Sequence, residues 1–300
     1  MSKRLRLGAK VPNSGQLPFR LGVARMAAML EAAGFDSIWT SDHVVFPREV
    51  RSRYPFSADG RITWPADVDY LEPTIALSAM TSTTSRAELG TSVLILPMRN
   101  PILFAKQAAC IDAIANGRLV LGVGAGWLRE EFEALGADFD SRGEILDEWL
   151  AIARRCWTGE VEPFEGRHYR LTEAIYCRPT PARHVPVLIG GMSRLAQERS
   201  GRIADGWLAQ YSLESLSERS VAEGVATVTA AADEAGRPPS EVERFRIVVR
   251  VTGTDGKLGV LASRLDALAA AGATELIVDV DWDGDHGPSR SLETLQSAAA

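Results

Sequence analysis

The sequence predicts an α/β chain folded as an eight-stranded (β/α)8 barrel, and three observations carry that expectation. Short apolar runs alternate with helical patterns from one end of the chain to the other. Those runs are continuously apolar, as strands covered on both faces are. No composition break divides the 300 residues, so one closed barrel over 1–300 is expected rather than two domains. A doubly wound open sheet is the alternative arrangement.

In order, Arg4–Ala9 reads as the first strand, and Leu21–Ala33 as a helix ended by Gly34, a residue suited to helix C-termini. Ser37–Thr40 is the second strand. Leu71–Thr83 is helical and Glu88–Leu96 is a strand rich in Leu, Val and Ile. Pro101–Ala115 opens on proline, a favoured first-turn residue. Leu119–Gly124 is a strand, followed by the helix Ser141–Trp157. From Gly159 to Pro186 the prolines Pro163, Pro179, Pro181 and Pro186 interrupt the pattern. This stretch predicts an insertion, a hairpin and loop over one end of the barrel. The alternation resumes with strand Val187–Gly190, helix Arg194–Ile203, strand Gly206–Ala209 and helix Leu213–Ala235. Strand Phe245–Thr252, helix Leu258–Ala271, strand Glu275–Val280 and helix Ser291–Ala300 complete it.

A net charge of -6 argues against a nucleic-acid surface, which needs a concentrated basic field. The three cysteines form no CxxC pair, which fits a reducing cytoplasm better than a disulfide scaffold. No apolar run approaches the roughly 20 residues of a membrane span, and the first residues lack a signal-peptide core. A cytoplasmic protein is expected.

Trp39-Thr40-Ser41-Asp42-His43 is the most informative stretch. It lies where the second strand runs out into a polar loop, at the carboxyl end where barrels place working side chains. A His beside a carboxylate can shuttle a proton near neutral pH. An isolated Asp-His pair is more often structural; here its position favours chemistry, with Asp42 orienting His43. Gly122-Val123-Gly124-Ala125-Gly126-Trp127 is not a dinucleotide fingerprint, because Trp127 stands where the third glycine is required. A tight packed turn explains it as well as ligand contact does. Gly190-Gly191-Met192-Ser193 precedes a helix. Its amides and the Ser193 hydroxyl would form an anion site at a helix N-terminus; Ser193 as a bare N-cap is the alternative, but the double glycine is more than a cap needs, which favours a phosphate. Thr91 and Ser92 inside an apolar strand need hydrogen-bond partners. Asp279-Val280-Asp281-Trp282-Asp283-Gly284 imitates a calcium loop, but its twelfth position is Arg290 rather than Glu, so a solvated acidic loop is expected and no metal site. No lysine closes a middle strand, which speaks against Schiff-base chemistry, and there is no GxSxG motif. The aromatics of loop 44–70, among them Tyr54, Phe56 and Trp64, suit a lid and substrate wall.

Three segments together resemble the luciferase-like monooxygenase superfamily, in particular its coenzyme F420-dependent branch: AGFDSIWTSDHVVFP (33–47), LGTSVLILPMRNPILFAKQAACIDAIANGRLVLGVGAGWLREEFEALG (89–136) and VLIGGMSRLAQERSGRIADGW (187–207). The resemblance implies a barrel of the bacterial luciferase type with an insertion around 159–186, often a homodimer. It implies a deazaflavin or flavin ring at the carboxyl end of the barrel with a small-molecule substrate. It puts Asp42 and His43 beside the ring, and Thr91, Ser92 and Val93 at a strand end that often holds a non-prolyl cis peptide. Gly124, Ala125 and Gly126 would line the floor, and Gly190, Gly191 and Ser193 the phosphate site. The chain departs from the pattern at Trp127, where some F420 dehydrogenases carry a Glu; this argues against a sugar-phosphate substrate. The implied activity is hydride transfer between F420 and a small organic molecule. An FMN-dependent monooxygenase is the first alternative. A cofactor-binding barrel without redox turnover is the second.

Overall fold

The computed structural model describes residues 4–57, 59–284 and 286–297. Eight parallel strands close into a barrel: β1 (Arg6–Lys10), β2 (Ser37–Thr40), β3 (Glu88–Ile95), β4 (Leu119–Gly124), β9 (Val187–Gly190), β10 (Gly206–Ser212), β11 (Arg246–Thr252) and β12 (Glu275–Val278). The insertion supplies β5 (Glu160–Val161), β6 (Phe164–Glu165), β7 (Arg170–Leu171) and β8 (Ile175–Tyr176). The helices are α1 (Leu17–Leu21), α2 (Val23–Ala33), α3 (Pro73–Thr81), α4 (Pro101–Ile114), α5 (Arg129–Ala134) and α6 (Arg142–Cys156). They continue with α7 (Arg194–Ile203), α8 (Glu218–Glu234), α9 (Pro239–Val242), α10 (Leu258–Ala262), α11 (Leu265–Ala270) and α12 (Gly287–Ser297).

Every expected barrel strand is present, with ends moved by a residue or a few. The helices depart more. The expected 21–33 helix breaks at Gly22, whose φ of 80° leaves the helical region and separates α1 from α2. The 213–235 helix starts only at Glu218, because Ser217 accepts from the Ser220 amide as an N-cap. The 258–271 helix divides at Ser263 and Arg264, where the Arg264 guanidinium turns to Glu218 and the Leu216 carbonyl. Residues 298–300 of the last helix, and Asp285 of the acidic loop, lie outside the described residues.

The insertion holds the expected hairpin. It is a nested pair of two-stranded antiparallel pieces, β5 with β8 and β6 with β7. It packs on α6: Glu148 accepts from the amides of Arg167, His168 and Tyr169, and the Tyr169 ring meets Trp149 edge-on at 5.8 Å.

Inside the barrel, side chains at alternate strand positions stack in layers. The lowest layer is ionic. Arg246 binds Glu88 at 2.8 Å and Glu275 at 2.6 Å, and Glu275 accepts from Ser37 at 2.5 Å. The middle layer is apolar: Trp39, Val120, Leu188, Leu208, Val248 and Ile277. Gly90 is required there, since a Cβ on it would overlap the Trp39 ring. The topmost positions, Lys10, Ser41, Ser92, Gln210, Arg250 and Asp279, line a cavity at the carboxyl ends of the strands. On β11 the period of two places Arg246, Val248 and Arg250 in these layers in turn.

Candidate active site

The mouth of the barrel holds two adjoining cavities, of about 470 and 590 Å³. Phe56, Val93, Ile95, Gly126, Trp127 and Gln210 line both and form the wall between them.

The first cavity is walled by Tyr54, Phe56, Trp64, Tyr70 and Trp127, so the 44–70 loop does cover the chamber. The first turn of α5 ties that loop down. Glu130 accepts from the Arg51 and Ser52 amides at 2.7 and 3.1 Å and from the Ser52 hydroxyl at 2.7 Å. Burial raises the Glu130 carboxyl, but these donors outweigh it and hold the group below its ordinary value. Glu131 accepts from the Val44 and Val45 amides at 2.6 and 3.2 Å. Its other oxygen lies 2.9 Å from Nδ1 of His43. A carboxylate at that distance accepts a hydrogen bond from Nδ1–H, which fixes the proton on Nδ1 and leaves Nε2 as the nitrogen free for chemistry. The His43 ring is framed by Phe46 at 4.2 Å, Tyr70 at 5.6 Å and Trp127 at 6.0 Å, and its side chain is 11% exposed.

Asp42 therefore does not orient His43, contrary to the sequence expectation. Its carboxylate faces the other way, into a two-point contact with Arg99 at 2.6 and 2.8 Å and the Ile95 amide at 2.8 Å. Arg99 also binds Glu72 at 2.8 Å. Burial pushes the Asp42 carboxyl up, and Arg99 opposes it. Burial works against the Arg99 charge too, but Asp42 and Glu72 outweigh it and raise the guanidinium above its ordinary value. Successive residues on an extended segment point to opposite sides, so one member of the Asp-His pair anchors the loop while the other faces the chamber.

The second cavity collects most of the residues expected at a cofactor: Val93, Gly124, Ala125, Gly126, Gly190, Gly191 and Ser193. The Ser92–Val93 peptide is cis. Val93 sits between two glycines. A Cβ on Gly124 would come within 2.8 Å of it, and one on Gly190 would overlap it. Thr91 is corrected. It is 0% exposed, its hydroxyl donates to the Gly122 carbonyl at 2.8 Å, and it lines neither cavity. Ser92 is satisfied by Arg250, whose Nη1 donates to the Ser92 carbonyl at 2.6 Å. The anion site also differs in detail. The Gly191 amide is spent on the Leu208 carbonyl, and Ser193 caps α7 by accepting from the Ala196 amide. What remains open to an anion is the start of α7, where the Arg194 and Leu195 amides precede the first helical hydrogen bonds, with Arg142 and Arg199 on the same wall.

Residues 14–254 match the luciferase-like monooxygenases. The chain belongs to that family. Over 183 residues this luciferase-like chain is 34% identical to an uncharacterised protein of Mycobacterium tuberculosis, with 61% of the chain and 63% of that protein covered. Over 191 residues it is 36% identical to an F420-dependent glucose-6-phosphate dehydrogenase of Nakamurella multipartita, covering 62% and 51%. The chain thus spans less than two thirds of the length of the curated relatives it matches. An F420-dependent secondary alcohol dehydrogenase, solved in complex with an F420-acetone adduct, shares the fold with a TM-score of 0.75 at 16% identity, covering 97% of this chain and 99% of that one.

The sequence expectations missed Glu131 as the partner of His43, and Lys10 and Arg250 as inward-facing cations. The last two were legible by counting in twos from the strand starts. Asp279 and Asp281 accept from the Gly253 and Gly256 amides at 2.9 Å and so brace the turn after β11. Among the described residues no group of three His, Cys, Asp or Glu side chains is placed to hold a metal ion, and no helix is long and apolar enough to cross a membrane.

Proposed function

We propose that this protein is an oxidoreductase that uses the deazaflavin coenzyme F420 to transfer a hydride to or from a small organic substrate. The observation that carries the reading is the position of His43, held by Glu131, in an aromatic chamber that shares a wall with the glycine-lined cavity. That second cavity fits such a coenzyme: Val93, Ile95, Leu208 and Met192 offer an apolar bed for a flat ring, and the α7 N-terminus with Arg142 and Arg199 offers charge for a phosphate. The F420-dependent relative supports the choice of coenzyme.

When bound, F420 supplies the carbon centre that exchanges hydride with the substrate. The chain supplies the rest. Val93, Gly124, Ala125 and Gly126 support the ring, and the first turn of α7 holds the phosphate. Nε2 of His43 takes the substrate proton in oxidation and returns it in reduction, and Glu131 fixes the ring and balances its charge. Tyr54, Phe56, Trp64 and Trp127 exclude water from the chamber.

The test is titration of the purified protein with F420 and, separately, FMN, followed by absorbance and fluorescence. Saturable F420 binding with much weaker FMN binding is expected. Preferential FMN binding would move the protein to oxygen chemistry and overturn the reading.

A further inference from the structure

We propose that Lys10 and Arg250 form a seat for a carboxylate, so that the substrate of this chamber is a small organic monoacid with an apolar, ring-sized body. The proposal rests on the chamber being the substrate site.

Both cations come from the uppermost inward positions of neighbouring parts of the barrel, Lys10 closing β1 and Arg250 on β11, and both line the chamber. Arg250 is 9% exposed. Its Nη1 is occupied by the Ser92 carbonyl, the Ser92 hydroxyl at 3.3 Å and the Ser41 hydroxyl at 3.2 Å. Its Nε is buried and meets no acceptor among the described residues, and the same holds for Nε1 of Trp64 on the chamber wall. Among the described residues no carboxylate lies within 4.0 Å of either cation, although ion pairs occur throughout the rest of the chain.

The acids around the chamber are committed elsewhere. Asp42 is held by Arg99 and Glu131 by His43 and two amides. Asp279 turns to the Gly253 amide at 2.9 Å. A buried cation without a paired anion is costly, and a ligand carboxylate would remove that cost. Two cations side by side, with Asp279 turned to a backbone amide, suit a single carboxylate. The aromatic walls and the volume of about 470 Å³ suit an apolar ring-sized body.

Burial holds the Lys10 ammonium down to about 7, helped by the Arg250 charge and opposed by Asp279. The other titratable groups around the chamber are Asp42 and His43 after β2, Tyr54 and Tyr70 from the loop, and Glu131 from α5. A carboxylate on the seat favours the protonated amine, so binding above pH 7 takes up a proton.

The experiment is calorimetric titration of the full chain, with and without F420, using benzoate and its neutral counterpart benzamide as probes. Benzoate is expected to bind, and benzamide to bind about tenfold or more weakly, as loss of a charge-assisted contact requires. Lys10→Met should weaken benzoate by a similar factor while leaving benzamide and F420 affinities unchanged, and Lys10→Arg should restore it. At pH 8, titrations in buffers of different ionisation enthalpy should show proton uptake for the wild type and none for Lys10→Met. No benzoate binding, equal binding of the two probes, or unchanged benzoate affinity in Lys10→Met would each overturn the seat. Failure of F420 to bind would instead count against the coenzyme reading alone, because the cofactor-free titration reads the seat directly.

Discussion

Nδ1 of His43 lies 2.9 Å from a carboxylate oxygen of Glu131, across 88 residues of sequence. The same carboxylate anchors the two amides that follow His43. Glu131 therefore sets both the tautomer of the ring and the path of the loop that carries it.

Glu131→Gln leaves one acceptor oxygen to be shared between Nδ1 and the Val44 and Val45 amides, and it removes the charge that balances a protonated ring. Its kcat should fall about 10²-fold, within the range a positioned general acid–base contributes. Affinity for F420 should hardly move, because Glu131 lines the chamber and not the coenzyme cavity, and the loss should fall on kcat more than on KM. Steady-state kinetics beside coenzyme titration checks this. A loss carried by KM alone would show that Glu131 only shapes the chamber.

Asp42→Asn should act mainly on stability. It leaves the Arg99 guanidinium with Glu72 as its remaining anion among the described residues. Breaking a buried pair costs about 3–5 kcal/mol, and Glu72 should hold the loss near the lower end. Urea denaturation reads it. The sequence expectation of Asp42 as a partner in proton transfer would instead predict a fall in kcat of the fully folded enzyme with little change in midpoint.

Lys10 links stability to pH. Its pKa is about 7 in the folded chain against 10.5 for an ordinary lysine. Between those values the unfolded chain binds the proton more, so this residue makes stability rise as pH climbs from 7 to 10.5. Below pH 7 the full penalty of charging a buried amine is present. Lys10→Met should therefore melt higher than the wild type at pH 6, by roughly 2–4 °C for each kcal/mol relieved. The two melting curves should converge towards pH 10. Scanning calorimetry across that range checks the sign; a variant less stable at pH 6 would contradict it.

Gly190→Ala pushes a methyl group into Val93, on the wall the two cavities share. Overpacking of this kind costs about 1–3 kcal/mol, and the displaced Val93 should weaken F420 binding about tenfold. Gly259→Ala is the control. It lies in α10 with no atom nearer than 4.0 Å to the added carbon, and replacing a helical glycine there should be neutral or stabilising by up to about 1 kcal/mol. Fluorescence titration and thermal melts of the pair separate a site effect from a general one.

The barrel was legible because its evidence is local. Continuous apolar runs such as Leu119–Gly124 and Val187–Gly190 can only be covered on both faces, and helices between them force parallel neighbours. The glycine and serine positions of the second cavity were legible for a similar reason: Gly124 and Gly190 end strands, Ser193 caps a helix, and Gly126 and Gly191 follow directly, so place in the chain fixes place in the fold. Helix limits were less legible, since the break at Gly22 depends on its left-handed φ and the start at Glu218 on a cap that competes with a nearby serine turn.

The sequence alone determined the class of fold and placed His43 at the carboxyl end of a barrel strand, because backbone periodicity and chain order carry that information. Only the tertiary structure decided the partners. Whether Asp42 faces His43 or Arg99, whether Glu131 reaches back to the loop, and whether Lys10 and Arg250 share one chamber depend on the closure that brings β1, β2, β11 and α5 together. Side-chain pairing across that closure is set by angles and distances between elements remote in sequence, and no local pattern records them.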